Sequence, residues 1–255
     1  MGLRELVYSA YEWRLRKQLA GRTLPRHVAI MIDGNRRWAR AAGFEDVSAG
    51  HVVGARHIAN LLDWCTETGV ELVTIWLLSI DNLRRPAQEL EPLLRIIAGV
   101  ADELSAPGKR WQVHAVGAPD LLPGETVAAL KAAEERTANR TGLTVNVAVG
   151  YGGRREIADA VRELLAEQAA AGTSMEQLAE TIDVDDIAAH LYTRGQPDPD
   201  LVIRTSGEQR LGGFLLWQSV HSEFYFCDTL WPDFRRVDFL RALRDYASRE
   251  RRYGA

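Results

Sequence analysis

Residues 27–40 read HVAIMIDGNRRWAR, and this stretch decides the fold class. His27–Ile32 is an apolar run without alternation, the pattern of a strand covered by helices on both faces. It stops at Asp33-Gly34-Asn35, turn-forming residues that lead into a helix start. Five further strand candidates follow: Glu71–Leu78, Trp111–Val116, Leu143–Val149, Leu201–Arg204 and Glu223–Phe226. Between and after them, helical spacing falls at about His51–Thr68, Ala87–Leu104, Gly124–Asn139, Arg154–Ala171, Ser174–Tyr192, Phe214–Ser222 and Val237–Arg251. Strands alternating with helices predict one α/β domain with a six-stranded, mainly parallel sheet flanked by helices.

Ahead of that domain, residues 1–24 carry an amphipathic helix, and residues 25–255 form the main unit. Leu3, Leu6, Val7, Ala10 and Tyr11 recur at helical spacing, with Arg4, Arg14, Arg16 and Lys17 as basic companions. Such a helix docks on its own domain, on a second subunit or on a membrane surface. The sequence leaves all three open.

Composition narrows the function. The chain has 255 residues, 46% hydrophobic and 26% charged, which suits an ordinary globular protein. A net charge of -4 provides no general field for nucleic acid, so no such partner is expected. Cys65 and Cys227 lack metal-ligand spacing and read as reduced thiols. No apolar run reaches the ~18 residues of a membrane span, and no secretory signal order is present. A cytoplasmic location is expected, with peripheral membrane contact left open by the first helix.

In parallel α/β sheets, ligands collect beyond the carboxyl ends of the strands. Asp33, Gly34, Asn35, Arg36, Arg37 and Trp38 follow the first strand. They combine a hard oxygen ligand suited to magnesium with guanidinium forks suited to phosphate. The second strand ends in Ser79, Ile80, Asp81, Asn82, Leu83, Arg84, Arg85 and Pro86, and a plain capping loop would use similar residues. Leu201–Arg204 leads into Thr205, Ser206 and Gly207, with Arg210, Leu211 and Gly212 close behind. Two arginines six apart suit the two phosphates of a diphosphate. Glu223 then offers a second carboxylate for magnesium.

Several familiar chemistries fail. Met31 stands where an Asp-x-Asp-Gly phosphatase needs its nucleophilic aspartate. Gly150-Tyr151-Gly152-Gly153-Arg154-Arg155 breaks the dinucleotide fingerprint at Arg155. The sequence has no phosphate loop of the G-x-x-x-x-G-K-[ST] type, no G-x-S-x-G elbow and no D-D-x-x-D signature.

Taken together, HVAIMIDGNRRWAR (27–40), SIDNLRRPAQEL (79–90), VNVAVGYGGRREI (145–157) and DLVIRTSGEQRLGGFLLWQSVHSEFYF (200–226) resemble the cis-prenyltransferases, which include undecaprenyl diphosphate synthase. WPDF (231–234) and ERRYG (250–254) continue the match, and the likeness is greatest to short-chain actinobacterial members that make (2Z,6E)-farnesyl diphosphate. The resemblance implies condensation of isopentenyl diphosphate with an allylic diphosphate, magnesium dependence, a homodimer and an apolar product tunnel. It implies that Asp33 binds magnesium and that Gly34, Asn35, Arg36 and Arg37 hold the allylic diphosphate, with Trp38 beside it. His51, Ser79, Ile80 and Asp81 would line that site, and Asn82 would assist proton removal. Arg85, Arg204, Arg210, Leu211 and Gly212 would bind isopentenyl diphosphate. Glu223 would be the second metal ligand near the dimer interface, and Arg252-Tyr253-Gly254 would reach the partner's site.

Departures from the family pattern bear on substrate choice. Ile80, Asp81 and Leu83 replace the serine, glutamate and tryptophan of long-chain members, and Gln209 stands at a position that is often histidine. A family arginine is not found between Phe44 and Gly50. Leu77 stands where long-chain members tend to have alanine, so a leucine in the tunnel would stop growth near C15 from geranyl diphosphate. Ordinary strand core is the other reading of Leu77. A long-chain decaprenyl or undecaprenyl synthase is the first alternative. A non-catalytic subunit of a heteromeric transferase is the second, opposed by the retained Asp33, Asn35, Arg37, Arg204 and Arg210.

Overall fold

The computed structural model describes residues 3–249. Its strands are β1 (His27–Met31), β2 (Leu72–Ser79), β3 (Gln112–Val116), β4 (Thr144–Tyr151), β5 (Leu201–Arg204) and β6 (Glu223–Phe226). All pairs are parallel, in the order β3-β4-β2-β1-β5-β6. The chain builds β2, β3 and β4 on one side of β1 and β5 and β6 on the other, making β1 the switch point where ligands gather. Met31 pairs with both Trp76 and Arg204, so the ends of β1, β2 and β5 are level. Their loops therefore converge.

Helix burial fixes which face does what. The larger core joins the sheet to α3 (Ser48–Thr68), α4 (Ala87–Ser105), α5 (Gly124–Thr137) and α9 (Arg236–Ser248) through residues such as Leu61, Ile97, Leu130 and Phe239. A smaller core on the other face gathers Met31, Ala148, Tyr151, Val202 and Phe214, with Trp76 packed against it. The helix α6 (Gly153–Ala170) starts directly after β4.

The first helix, α1 (Leu3–Leu19), rests on α9. Leu15 and Leu19 are buried, and Arg235 and Arg241 lie 4.6 and 5.0 Å over the rings of Tyr8 and Tyr11. That is the docking of the helix on its own domain. Leu6, Val7 and Trp13 stay exposed.

Two expectations need correction. Phe214–Ser222 is a series of turns, not a helix. Leu215 holds φ +44°, a left-handed value that no α-helix contains, and Phe214 is drawn under Trp76 with rings 5.0 Å apart. Ser174–Tyr192 divides into α7 (Met175–Thr181) and α8 (Val184–Ala188), because Asp183 caps a new helix with Asp186 in a capping box. The helix start expected after Asp33-Gly34-Asn35 is present as α2 (Asn35–Ala41).

Candidate active site

A cleft of about 550 Å³ opens over the carboxyl ends of β1, β2 and β5. From the first loop it is lined by Asp33, Gly34, Asn35, Arg36 and Arg37, and from the second by Ser79, Asp81, Asn82 and Arg85. Arg204, Arg210 and Gly212 close the third side, with His51 and Leu77 between. Six guanidiniums face it against three carboxylates, a local excess of positive charge in a chain of net charge -4.

Asp33 sits at the centre because its backbone is tied down. Its N–H donates to the Thr205 hydroxyl at 2.9 Å, and that hydroxyl donates to the Asp33 carbonyl at 2.7 Å. One carboxylate oxygen accepts the Gly34 N–H at 2.7 Å and the other a guanidinium N–H of Arg204 at 3.1 Å. The Arg204 side chain is only 8% exposed, whereas that of Asp33 is 42% exposed and open to the cleft. Gly34 has φ +104°, and an added Cβ would lie 2.8 Å from Leu230. Only glycine fits there.

The arginines are held by carboxylates. Glu89 pairs with Arg36 at 3.3 Å and Arg85 at 3.0 Å. Glu208 bridges Arg37, at 3.8 Å, to Arg210. Arg204 also donates to the Arg210 carbonyl. Burial, and then Arg85 and Arg36, push His51 down to about 4, so the ring is neutral at pH 7. Burial likewise lowers Arg85, whose guanidinium stays charged at pH 7.

Polar atoms here await partners. Asn35 Oδ1, His51 Nε2 and Arg204 Nε are buried and make no hydrogen bond. Such orphans carry a cost that a bound ligand relieves. Among the described residues no cluster of three or more His, Cys, Asp or Glu stands ready for a metal. One accessible carboxylate among guanidiniums suited to phosphate fits magnesium, which takes one or two protein carboxylates plus substrate oxygens.

Four expected residues lie elsewhere. Trp38 stacks on Phe44 with centroids 5.9 Å apart. Ile80 packs over Gly152, and Leu211 against the smaller core. Glu223 opens β6 opposite Leu201, at the end of the sheet away from Asp33, and its carboxylate pairs with Arg249. The two metal candidates therefore do not meet within one chain. The tail Arg252-Tyr253-Gly254 lies outside the described residues.

Sequence reading missed Met31, Ile32, Arg40, Trp76, Leu93 and Glu208 in the cleft wall, and Glu89 behind it. Arg40, Glu89 and Glu208 stood inside the quoted motifs, so their charge was the available signal. Trp76 and Leu93 looked like core.

Leu77 takes its position from a β-bulge. Pairing passes from Trp76 opposite Ala148 to Leu78 opposite Val149, leaving Leu77 as the extra residue. Leu77 and Leu78 both join the larger core, while Trp76 faces the smaller one. Below Leu77 a separate apolar cavity of about 30 Å³ runs between α3 and α4, lined by Ile58, Ile97 and Val100 among others. Leu77 borders both spaces, together with Ile32, Asn35, His51 and Leu93.

A cleft-facing carboxylate at the switch point, flanked by paired guanidiniums and an apolar recess, defines a transferase acting on diphosphates with apolar tails. The chain belongs to the prenyltransferase family of undecaprenyl diphosphate synthases, whose signature matches residues 30–254. It is 60% identical over 255 residues to a (2Z,6E)-farnesyl diphosphate synthase of Thermobifida fusca, covering all of both chains. It is 56% identical to a short-chain Z-isoprenyl diphosphate synthase of Mycobacterium leprae, covering 99% of this chain and 97% of the relative. Among solved structures it is similar to lavandulyl diphosphate synthase from Lavandula x intermedia, in complex with dimethylallyl diphosphate. That likeness has a TM-score of 0.84 at 36% identity, covering 91% of this chain and 99% of the other.

Proposed function

We propose that this chain elongates an allylic diphosphate, geranyl diphosphate above all, by one cis isoprene unit to (2Z,6E)-farnesyl diphosphate. The observation that carries this reading is the placement of Leu77 between a 550 Å³ cleft and a 30 Å³ apolar recess. The recess is far smaller than the cleft, about 30 against 550 Å³ on the same measure. A polyprenyl tail of many units would need it continuous and far larger.

The chemistry follows from the two sides of Asp33. Arg36 and Arg37 hold the allylic diphosphate with its tail toward Leu77. Arg204 and Arg210 hold isopentenyl diphosphate. The double bond of the latter attacks the first carbon of the allylic group, inorganic diphosphate leaves, and loss of a proton sets the cis double bond. Asp33 would hold magnesium, which would supply charge to the leaving diphosphate. Arg36, Arg37 and Arg204 supply fixed positive charge at the same place. Asn82, whose backbone N–H donates to the Ser79 hydroxyl at 3.1 Å, stands in the cleft wall, and its side-chain amide would assist proton removal.

A homodimer fits the exposed sheet edge. Phe226 on β6 and Val220 just before it are 38% and 71% exposed. Among the described residues no helix is long and apolar enough to cross a membrane.

One assay tests the reading: isopentenyl diphosphate with magnesium and C5, C10 or C15 allylic primers, with product length measured after dephosphorylation. A C15 product from the C10 primer is expected. No incorporation from any primer would defeat the catalytic reading, and long polyprenyl products would defeat the short-chain one.

A further inference from the structure

We infer that Trp76 is the wall against which the isopentenyl unit packs, and so a specificity-determining residue for that substrate alone. The inference rests on the placement of isopentenyl diphosphate at Arg204 and Arg210. In β2 the chain turns Trp76 to one face of the sheet and Leu77 to the other, so neighbouring residues serve opposite halves of the cleft. The register puts Trp76, Met31 and Arg204 in one row across β2, β1 and β5. Paired residues of a parallel sheet point to the same face. Trp76 therefore shares its face with the guanidinium of Arg204, while Leu77 shares its own with the apolar recess.

The surroundings make a platform of the ring. Phe214 stacks on it at 5.0 Å and 6°, and Tyr151 meets it edge-on at 6.4 Å. A Cβ added at Gly212 would lie 3.6 Å from Trp76 and 3.7 Å from Arg204 Nη1, so the phosphate-side loop passes directly over the ring's edge. The indole Nε1 is buried without a hydrogen-bond partner, so stacking rather than a polar tether sets its orientation. A five-carbon alkene anchored by its diphosphate on Arg204 and Arg210 has this ring as its apolar neighbour. An aromatic face also suits the positive charge that develops on that unit during attack.

The test is steady-state kinetics on Trp76→Leu and Trp76→Phe, varying each substrate in turn. Trp76→Leu is expected to raise KM for isopentenyl diphosphate about 10-fold. KM for geranyl diphosphate and inhibition by inorganic diphosphate should stay within about twofold, since neither uses the wall. Trp76→Phe keeps a flat ring and should remain within about threefold for both substrates. If Trp76→Leu does not fold, Phe214→Leu, which removes the stacking partner, must give the same split. Equal rises in both KM values, or no rise in either, overturn the assignment of Trp76. A wild-type protein that incorporates no isopentenyl diphosphate overturns the underlying function instead.

Discussion

Replacing Leu77 by alanine should lengthen the product. The leucine borders the cleft and the recess, and its removal joins the two spaces along Ile58, Ile97 and Val100. One added isoprene unit carries five carbons, and burial contributes about 0.8 kcal/mol for each CH2. A unit accommodated fully in the enlarged recess gains about 4 kcal/mol, roughly a thousandfold in favour of keeping the chain for another round. The partly buried leucine itself contributes less to stability than a fully buried one, so the variant should lose about 1–2 kcal/mol and stay folded. The assay is incubation with geranyl diphosphate and excess isopentenyl diphosphate, followed by chromatography of the dephosphorylated alcohols. Products of C20 and beyond are expected. A folded Leu77→Ala protein still stopping at C15 would show that Leu77 is ordinary strand core and that another wall sets length.

Two further outcomes follow from the same packing and charges. Gly54→Ala places a Cβ 2.7 Å from Trp231 and closer still to Asn35 Oδ1, forcing α3 away from α2. It should cost about 1–3 kcal/mol in chemical denaturation and lower turnover by displacing the Asn35 loop. His27 and His51 are both held at about 4, in each case chiefly by burial. Their folded values lie below the ordinary value of about 6.5, so the unfolded chain binds more protons in that window. Stability is then whole above pH 6.5 and falls as pH drops toward 4, by up to about 3 kcal/mol for each ring. Denaturation midpoints at pH 7.5 and 5 check this, and equal midpoints would contradict it.

The sequence carried the strands and their loops because both depend on local chemistry. Unbroken apolar runs such as His27–Ile32 specify buried parallel strands, and Asp33, Arg36, Arg204 and Arg210 announce phosphate chemistry wherever they sit. Level strand ends then bring them together. What stayed hidden depends on partners distant in sequence. The bulge at Leu77 exists only relative to β4, so no reading of β2 alone shows that Leu77 and Leu78 share one core while Trp76 faces another. Phe214–Ser222 has helical spacing, yet the stack of Phe214 on Trp76 and the left-handed Leu215 override it. Glu223 was expected as a second magnesium carboxylate near the dimer interface, and the register sets it at the end of the sheet away from Asp33. Shared metal binding would then require a second copy of the chain.

The central claim is that Asp33 holds the metal that helps the allylic diphosphate depart. Asp33→Asn keeps the shape of the side chain and can still accept the Gly34 N–H, while removing its charge. Single-turnover incubation of this variant with geranyl diphosphate, isopentenyl diphosphate and magnesium tests it most directly, with circular dichroism as the check on folding. The account predicts a folded protein whose product formation falls at least about a thousandfold. A folded variant turning over at near the wild-type rate would contradict it.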